Sequence, residues 1–193
     1  MAGLSAACYL IGRGCDVMIE KPIARSIAEA DGILAAAREA RRIVQVGHVE
    51  RYNPALQAAL AMAADAGVRF MQAQRLGVFT RRSLDVDVVL DLMIHDLQIA
   101  QALSGRPADD IQAVGMPVLT DKIDLANARI GFEGGFVADL TASRVSADTL
   151  REVHIFAPSM SIAVDMRAQS IRVFRLSHEA GEPGIVPAAV PVE

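Results

Sequence analysis

Three groups of residues have the types and spacing to do chemistry. Asp91 and His95 stand four apart in Val89-Leu90-Asp91-Leu92-Met93-Ile94-His95-Asp96, and on an α-helix that spacing puts both side chains on one face. In an otherwise apolar segment they would project together into a cleft. An imidazole near its ordinary pKa can take a proton from a hydroxyl group as a hydride leaves the same carbon, while a nearby carboxylate orients and stabilises the imidazolium. A core histidine tied to a carboxylate, or a pair of metal ligands, would have the same spacing.

The second group is Glu20-Lys21-Pro22 and the third is Gly47-His48-Val49-Glu50-Arg51-Tyr52-Asn53-Pro54, each following a short apolar run. The carboxyl ends of parallel strands are where ligands of doubly wound sheets bind. A lysine there can donate to a substrate oxygen, with partial desolvation lowering its pKa toward a useful range, although a solvated turn lysine reads identically. The density of polar side chains after Gly47 exceeds what a loop needs, yet His48 could be a structural partner only.

The elements that must position these residues can be read from periodicity and caps. Ser5 to Gly12 reads as the tail of a helix stopped by Gly14, and Asp16 to Glu20 as a buried strand. Ile27, Ala30, Ile33, Leu34 and Ala37 recur at helical spacing from Ser26 to Arg42, with Ser26 and Glu29 forming a capping box. Ile43 to Val49 reads as a second strand. Strand, helix and strand in about thirty-five residues make a βαβ unit with parallel strands. Beyond Pro54 the pattern changes to a helix over Ala55 to Ala66, a strand over Val68 to Phe79, and a helix from Val88 to Leu103 stopped by Ser104-Gly105. In that strand Phe70, Gln72, Gln74, Leu76 and Val78 alternate with Met71, Ala73 and Arg75.

Strand candidates then follow at Ile111–Leu119, Leu125–Phe132, Phe136–Ser143, Arg151–Phe156, Ser161–Asp165 and Ile171–Leu176, with a hairpin turn at Glu133-Gly134-Gly135. The fold class is therefore α/β and α+β: part of a doubly wound, Rossmann-like parallel sheet over residues 1–53, then an open, mostly antiparallel sheet over 54–193. An apolar outer face on that sheet would make it a site of self-association. Ala180 to Val192, rich in Pro and Gly and without a closing element, reads either as a tail or as a domain stopping short.

Composition narrows the function classes. With 52% apolar residues a chain of 193 residues can build a substantial core. A formal charge of −4 with the basic residues dispersed offers no face to nucleic acid. No apolar run approaches the length of a membrane span, and Met1 to Gly14 lacks the layout of a signal peptide, so the expected address is the cytoplasm. Cys8 and Cys15 follow no metal-ligand spacing and read as reduced thiols. No metal site is expected.

In combination the three groups resemble the Gfo/Idh/MocA family of sugar and cyclitol oxidoreductases. The motifs are Glu-Lys-Pro after a strand, Gly-His-x-x-Arg-Tyr-Asn-Pro, and Leu-Asp-Leu-x-Ile-His-Asp, and the match runs in order over about residues 1–176. The resemblance implies NAD or NADP as cofactor, a sugar or nucleotide-sugar substrate, and homo-oligomers formed through the open sheet. It implies Lys21, His95 and Asp91 as catalytic residues, with His95 the acid/base and Asp91 its partner. Glu20, Lys21 and His48 would contact the cofactor; Arg51, Tyr52, Asn53 and Arg144 would contact substrate. The family's Lys-Pro bond is typically cis.

The segments around Arg82 to Asp91, Leu119 to Asp124 and Thr141 to Arg144 resemble members that oxidise the 3-hydroxyl of UDP-N-acetylglucosamine, and Arg75, Arg81, Arg82 and Arg144 are candidates for binding a diphosphate. One departure stands out: no G-x-G-x-x-G follows a strand in the chain, so the resemblance is to an N-terminally truncated member without the loop that seats the pyrophosphate. That leaves open a non-catalytic sugar-binding or oligomerising remnant, and, on the same scaffold, redox-assisted glycoside cleavage or epimerisation.

Overall fold

A computed structural model describes residues 2–81, 85–177 and 184–190, with backbone only for 2–5, 176–177 and 184–190. Arg82 lies outside the described residues. The chain separates into two compact units, Met1–His48 and Val49–Glu193. No helix among the described residues is long and apolar enough to cross a membrane.

The first unit contains α1 (Ala2–Gly12), β1 (Val17–Ile19), α2 (Ile27–Ala40) and β2 (Val44–Val46). β1 and β2 pair in parallel, Val17 beside Val44 and Ile19 beside Val46, as the βαβ pattern predicts. Ile11, Ile33 and Ala37 form its small core. Gly14 ends α1 at φ +83°, a conformation open to glycine. The Ser26 hydroxyl caps α2 by accepting from the Glu29 N–H at 3.2 Å, and its replacement by Ala should cost about 1 kcal/mol. Glu29 closes the reciprocal bond one residue earlier than a capping box does, accepting from the Arg25 N–H at 3.0 Å.

The second unit is one eight-stranded sheet with its helices on one face. It opens with a 3-10 turn at Val49–Tyr52, where the apolar run had suggested that the second strand continues to Val49. α3 (Pro54–Ala63), β3 (Phe70–Leu76), a π turn at Val89–Met93 and α4 (Ile94–Ser104) follow. The remaining strands are β4 (Ala108–Met116), β5 (Leu125–Phe132), β6 (Phe136–Ser143), β7 (Leu150–Ala157), β8 (Met160–Asp165), β9 (Ser170–Ser177) and β10 (Gly184–Val190). The order is β10-β9-β8-β7-β3-β6-β5-β4. Every pair is antiparallel except β3 with β6.

Leu56 of α3 and Met93 and Ile99 of the π turn and α4 join Met71, Leu140, Ile155 and Ile162 of the sheet in the main core. Two expectations are corrected. Within the Pro- and Gly-rich end, Gly184–Val190 is not tail but the edge strand β10, pairing with Ser177–Ile171. The outer sheet face is not apolar but mixed. Asn127 donates to Asp139 and Thr141 across β5 and β6, His154 lies 3.6 Å from Glu152, and the Phe70 and Phe156 rings pack on each other across β3 and β7.

Candidate active site

In the first unit the chemistry-bearing residues collect at the carboxyl ends of β1 and β2. The Gly47 N–H donates to Ile19 O at 2.7 Å, and His48 N–H turns back to Val46 O at 2.8 Å, a three-residue turn of a kind found at strand ends. The Lys21-Pro22 bond is cis, as the resemblance implies. A Cβ on residue 47 would stand 2.8 Å from Glu20 Oε2 and 3.0 Å from its Cδ. Glycine is therefore what allows the Glu20 carboxylate to lie over the second strand end.

Burial, and after it the positive charge of Lys21, holds the His48 imidazole below its ordinary pKa. It is therefore neutral near pH 7, able to donate from one ring nitrogen and accept at the other. Its Nδ1 is buried with no hydrogen-bond partner among the described residues. A carboxylate, an ammonium and a neutral imidazole with an unspent ring nitrogen fit a ligand rich in hydroxyl or amide groups.

In the second unit Asp91 and His95 flank the junction between the π turn and α4. They do not share one regular α-helix, so the simple same-face rule begins to apply only at Ile94. Single π turns inside helices occur frequently at functional sites. His95 is 9% exposed; Asp91 is half-buried. The start of the turn is pinned twice: Asp87 Oδ1 accepts from Leu90 N–H at 2.9 Å, and Val88 N–H donates to Ile123 O at 2.9 Å.

The segment contributing Ile123 is itself organised around Asp124, which is fully buried. One carboxylate oxygen accepts from the N–H groups of Val118, Leu119 and Thr120 at 2.7 to 2.9 Å. The other accepts from the Thr120 hydroxyl and from Arg144 Nε, both at 2.7 Å. Burial alone would raise this carboxyl's pKa; the converging donors overcome it and hold it well below the usual carboxylate range. Arg144 Nη1 reaches on to Val86 O at 2.9 Å.

Arg144, expected at the substrate, thus spends three of its donors on the chain. Asn53, also expected there, caps α3 through Ala55 and Leu56 N–H and donates to Met166 O at 2.9 Å. Arg51 and Tyr52 are exposed on the 3-10 turn. Arg75 is not an exposed diphosphate ligand: it is 2% exposed and forks onto Asp96 at 2.9 and 3.0 Å.

This buried network, completed by Glu50 and Arg151, was missed by sequence reasoning. A signal for it existed. Arg75 alternates in phase with Met71 and Ala73, so it had to face the core and find an acid. Among the described residues no group of His, Cys, Asp and Glu could hold a metal ion.

Residues 3–48 match the Gfo/Idh/MocA oxidoreductase family with its NAD-binding Rossmann fold, and residues 59–163 match the Gfo/Idh/MocA C-terminal domain. The chain is 37% identical over 179 residues to UDP-N-acetylglucosamine 3-dehydrogenase of Acidithiobacillus ferrooxidans, an alignment covering 92% of this chain and 57% of that protein. A solved structure of the same-named Acidithiobacillus ferrooxidans enzyme superposes with a TM-score of 0.91 at 34% identity, over 100% of this chain and 62% of that one. An inositol dehydrogenase homolog from Azotobacter vinelandii, complexed with NADH and myo-inositol, gives a TM-score of 0.82 at 16% identity over 96% and 53% of the two chains, a likeness of fold. The chain thus spans between half and two thirds of the length of these relatives. With both family domains matched in order, one on each compact unit, the chain belongs to the Gfo/Idh/MocA oxidoreductase family.

Proposed function

We propose that this chain carries the reacting groups of a dehydrogenase that oxidises a hydroxyl of a nucleotide sugar, the 3-hydroxyl of UDP-N-acetylglucosamine being the leading candidate. The observation that carries the reading is the 37% identity to an enzyme of that name over nearly the whole chain. The buried His95 at a π-to-α junction supports it chemically.

His95, as the neutral imidazole, accepts the hydroxyl proton as the alcohol becomes a ketone. Asp91 stabilises the imidazolium that results. Lys21 donates a hydrogen bond to the oxygen as it gains carbonyl character. NAD or NADP, when bound, supplies the hydride acceptor. Glu20, Lys21 and His48 would hold its nicotinamide end, the unspent Nδ1 of His48 offering a hydrogen bond to a hydroxyl or amide. Arg51 and Tyr52 contact the sugar nucleotide; Asn53 and Arg144 act one step back, holding the segments that present the others.

In this reading residues 1–53 serve the cofactor, with Lys21, Arg51 and Tyr52 also reaching the substrate, while 54–193 serve substrate and assembly, and copies associate through the outer sheet face. Its exposed Phe156 on β7 and the hydrogen-bonded Asn127 and Asp139 on β5 and β6 give a surface both sticky and directional. Free Cys8 and Cys15 suit the reducing cytoplasm. A monodisperse monomer in light scattering would remove the association claim.

The test of function uses the longest open reading frame containing this chain, with UDP-N-acetylglucosamine and NAD or NADP. Reduced nicotinamide should accumulate in step with keto-sugar. Sugar conversion without net cofactor reduction would instead establish an internal oxidation–reduction cycle, as in epimerisation or glycoside cleavage. Sugar binding without any turnover would establish a non-catalytic binding protein.

A further inference from the structure

The inner face of the sheet is apolar along β3, β5, β6 and β7 except at Arg75 and, beside it at the end of β7, the half-exposed Arg151; of the two only Arg75 is buried. Burying a guanidinium is costly, and apolar residues of similar volume commonly serve stability as well or better, so stability gives no reason for an arginine there. What an arginine provides is direction. Its planar fork fixes the orientation of a carboxylate as a packed methylene chain cannot.

The fork has two addresses. Nε and Nη2 bind Asp96 Oδ2 and Oδ1 at 3.0 and 2.9 Å, and Nη1 binds Glu50 Oε1 at 3.3 Å. Asp96 directly follows His95 and sits in the first turn of α4, immediately after the π turn that carries Asp91. In a π turn the hydrogen bonds run one residue further than in an α-helix, so the junction sets how Asp91 is rotated relative to His95. Anchoring residue 96 fixes that rotation. Glu50 lies in the 3-10 turn beside Arg51 and Tyr52, and Arg151 caps its outer side at 3.4 Å. One guanidinium therefore ties the helix start that bears the proposed acid/base to the turn that bears the proposed substrate contacts.

We infer that Arg75 is a positioning residue for the reaction: without touching substrate, it holds Asp96 and Glu50 so that His95 and the Arg51–Tyr52 turn keep one mutual geometry. This rests on the assignment of His95 above, and the experiment separates the two.

Three proteins are compared with the parent, all read from the longest open frame: Arg75→Lys, the double variant Arg75→Met with Asp96→Leu, and His95→Asn. Lysine keeps the charge but cannot fork. The double variant removes both buried charges and leaves Glu50 its Arg151 partner. Thermal midpoint, kcat, KM for the sugar nucleotide and the NMR resonances of the His95 ring are measured on each.

A misplacement of about 1 Å can cost ~10²-fold in rate. Both Arg75 variants should therefore lose on the order of 10²-fold in kcat and shift the His95 ring signals, while the double variant melts close to the parent. Parent-like kcat and parent-like His95 signals in either variant would overturn the inference and leave Arg75 a packing residue. If His95→Asn retains full turnover, the acid/base assignment fails, and shifted ring signals in the Arg75 variants still report whether Arg75 orients His95.

Discussion

The carboxylate of Glu20 occupies the space over Gly47 in which any other residue would begin its side chain, with 2.8 Å separating Glu20 Oε2 from the position of a Cβ. Because the crowding atoms are the far end of an exposed, flexible side chain, Gly47→Ala displaces Glu20 rather than the backbone. Only that side chain has to move, so the effect on thermal stability should stay below about 1 kcal/mol, the centre of the range for single substitutions. Cofactor affinity should fall clearly if Glu20 helps to hold the nicotinamide end. Calorimetric melting and an NADH titration check the two halves separately.

Lys21 and His48 are coupled through charge. Burial is the larger cause of the lowered His48 pKa and Lys21 the second. Lys21→Met removes a positive charge, so the His48 pKa should rise, though not to its ordinary value, because burial remains. An NMR pH titration of the ring reads this directly. The linkage has a definite sign: a histidine whose folded pKa is depressed contributes stability above its ordinary pKa of about 6.5 that is lost as pH falls through the folded value. Lys21→Met should shrink that loss.

Asp124 gives a pH dependence of the acidic kind. Its folded pKa is depressed by the donors around it, so its contribution is full above the ordinary carboxylate pKa of about 3.9 and is lost as pH falls toward the folded value. In urea titrations the parent should exceed Asp124→Asn in stability by a constant margin near neutrality. That margin should narrow only below about pH 4. A margin that already closes between pH 7 and 5 would mean that Asp124 is not held in its ionised form.

Much of this was legible from the chain alone, and the failures share a cause. Leu125–Phe132 and Phe136–Ser143 were located to the residue because alternation and a Glu133-Gly134-Gly135 turn with positive φ at both glycines are local signals. The Ser26 cap is equally local. The π turn is not: Val-Leu-Asp-Leu-Met reads as ordinary helix, and the bonds at Asp87, Val88 and Ile123 that accompany the widened turn come partly from a distant strand connection. β10 was concealed by Pro187, which cannot donate to a ladder, yet an edge strand tolerates it; here β10 closes one end of the sheet. The bonds that Asn53 and Arg144 make to Met166 O and Asp124 were equally hidden, because a polar side chain in a motif does not reveal which partners within the chain it has.

The most direct test of the central claim is the turnover of His95→Asn with UDP-N-acetylglucosamine and NAD or NADP, in the longest open reading frame containing this chain. Asparagine keeps a polar side chain but cannot take the proton, and general acid–base catalysis is typically worth ~10²–10⁴-fold. In His95→Asn kcat should fall by that order, with cofactor affinity unchanged and the variant folded. A variant that melts earlier but turns over at the parent rate per folded molecule would contradict it and make His95 a core residue.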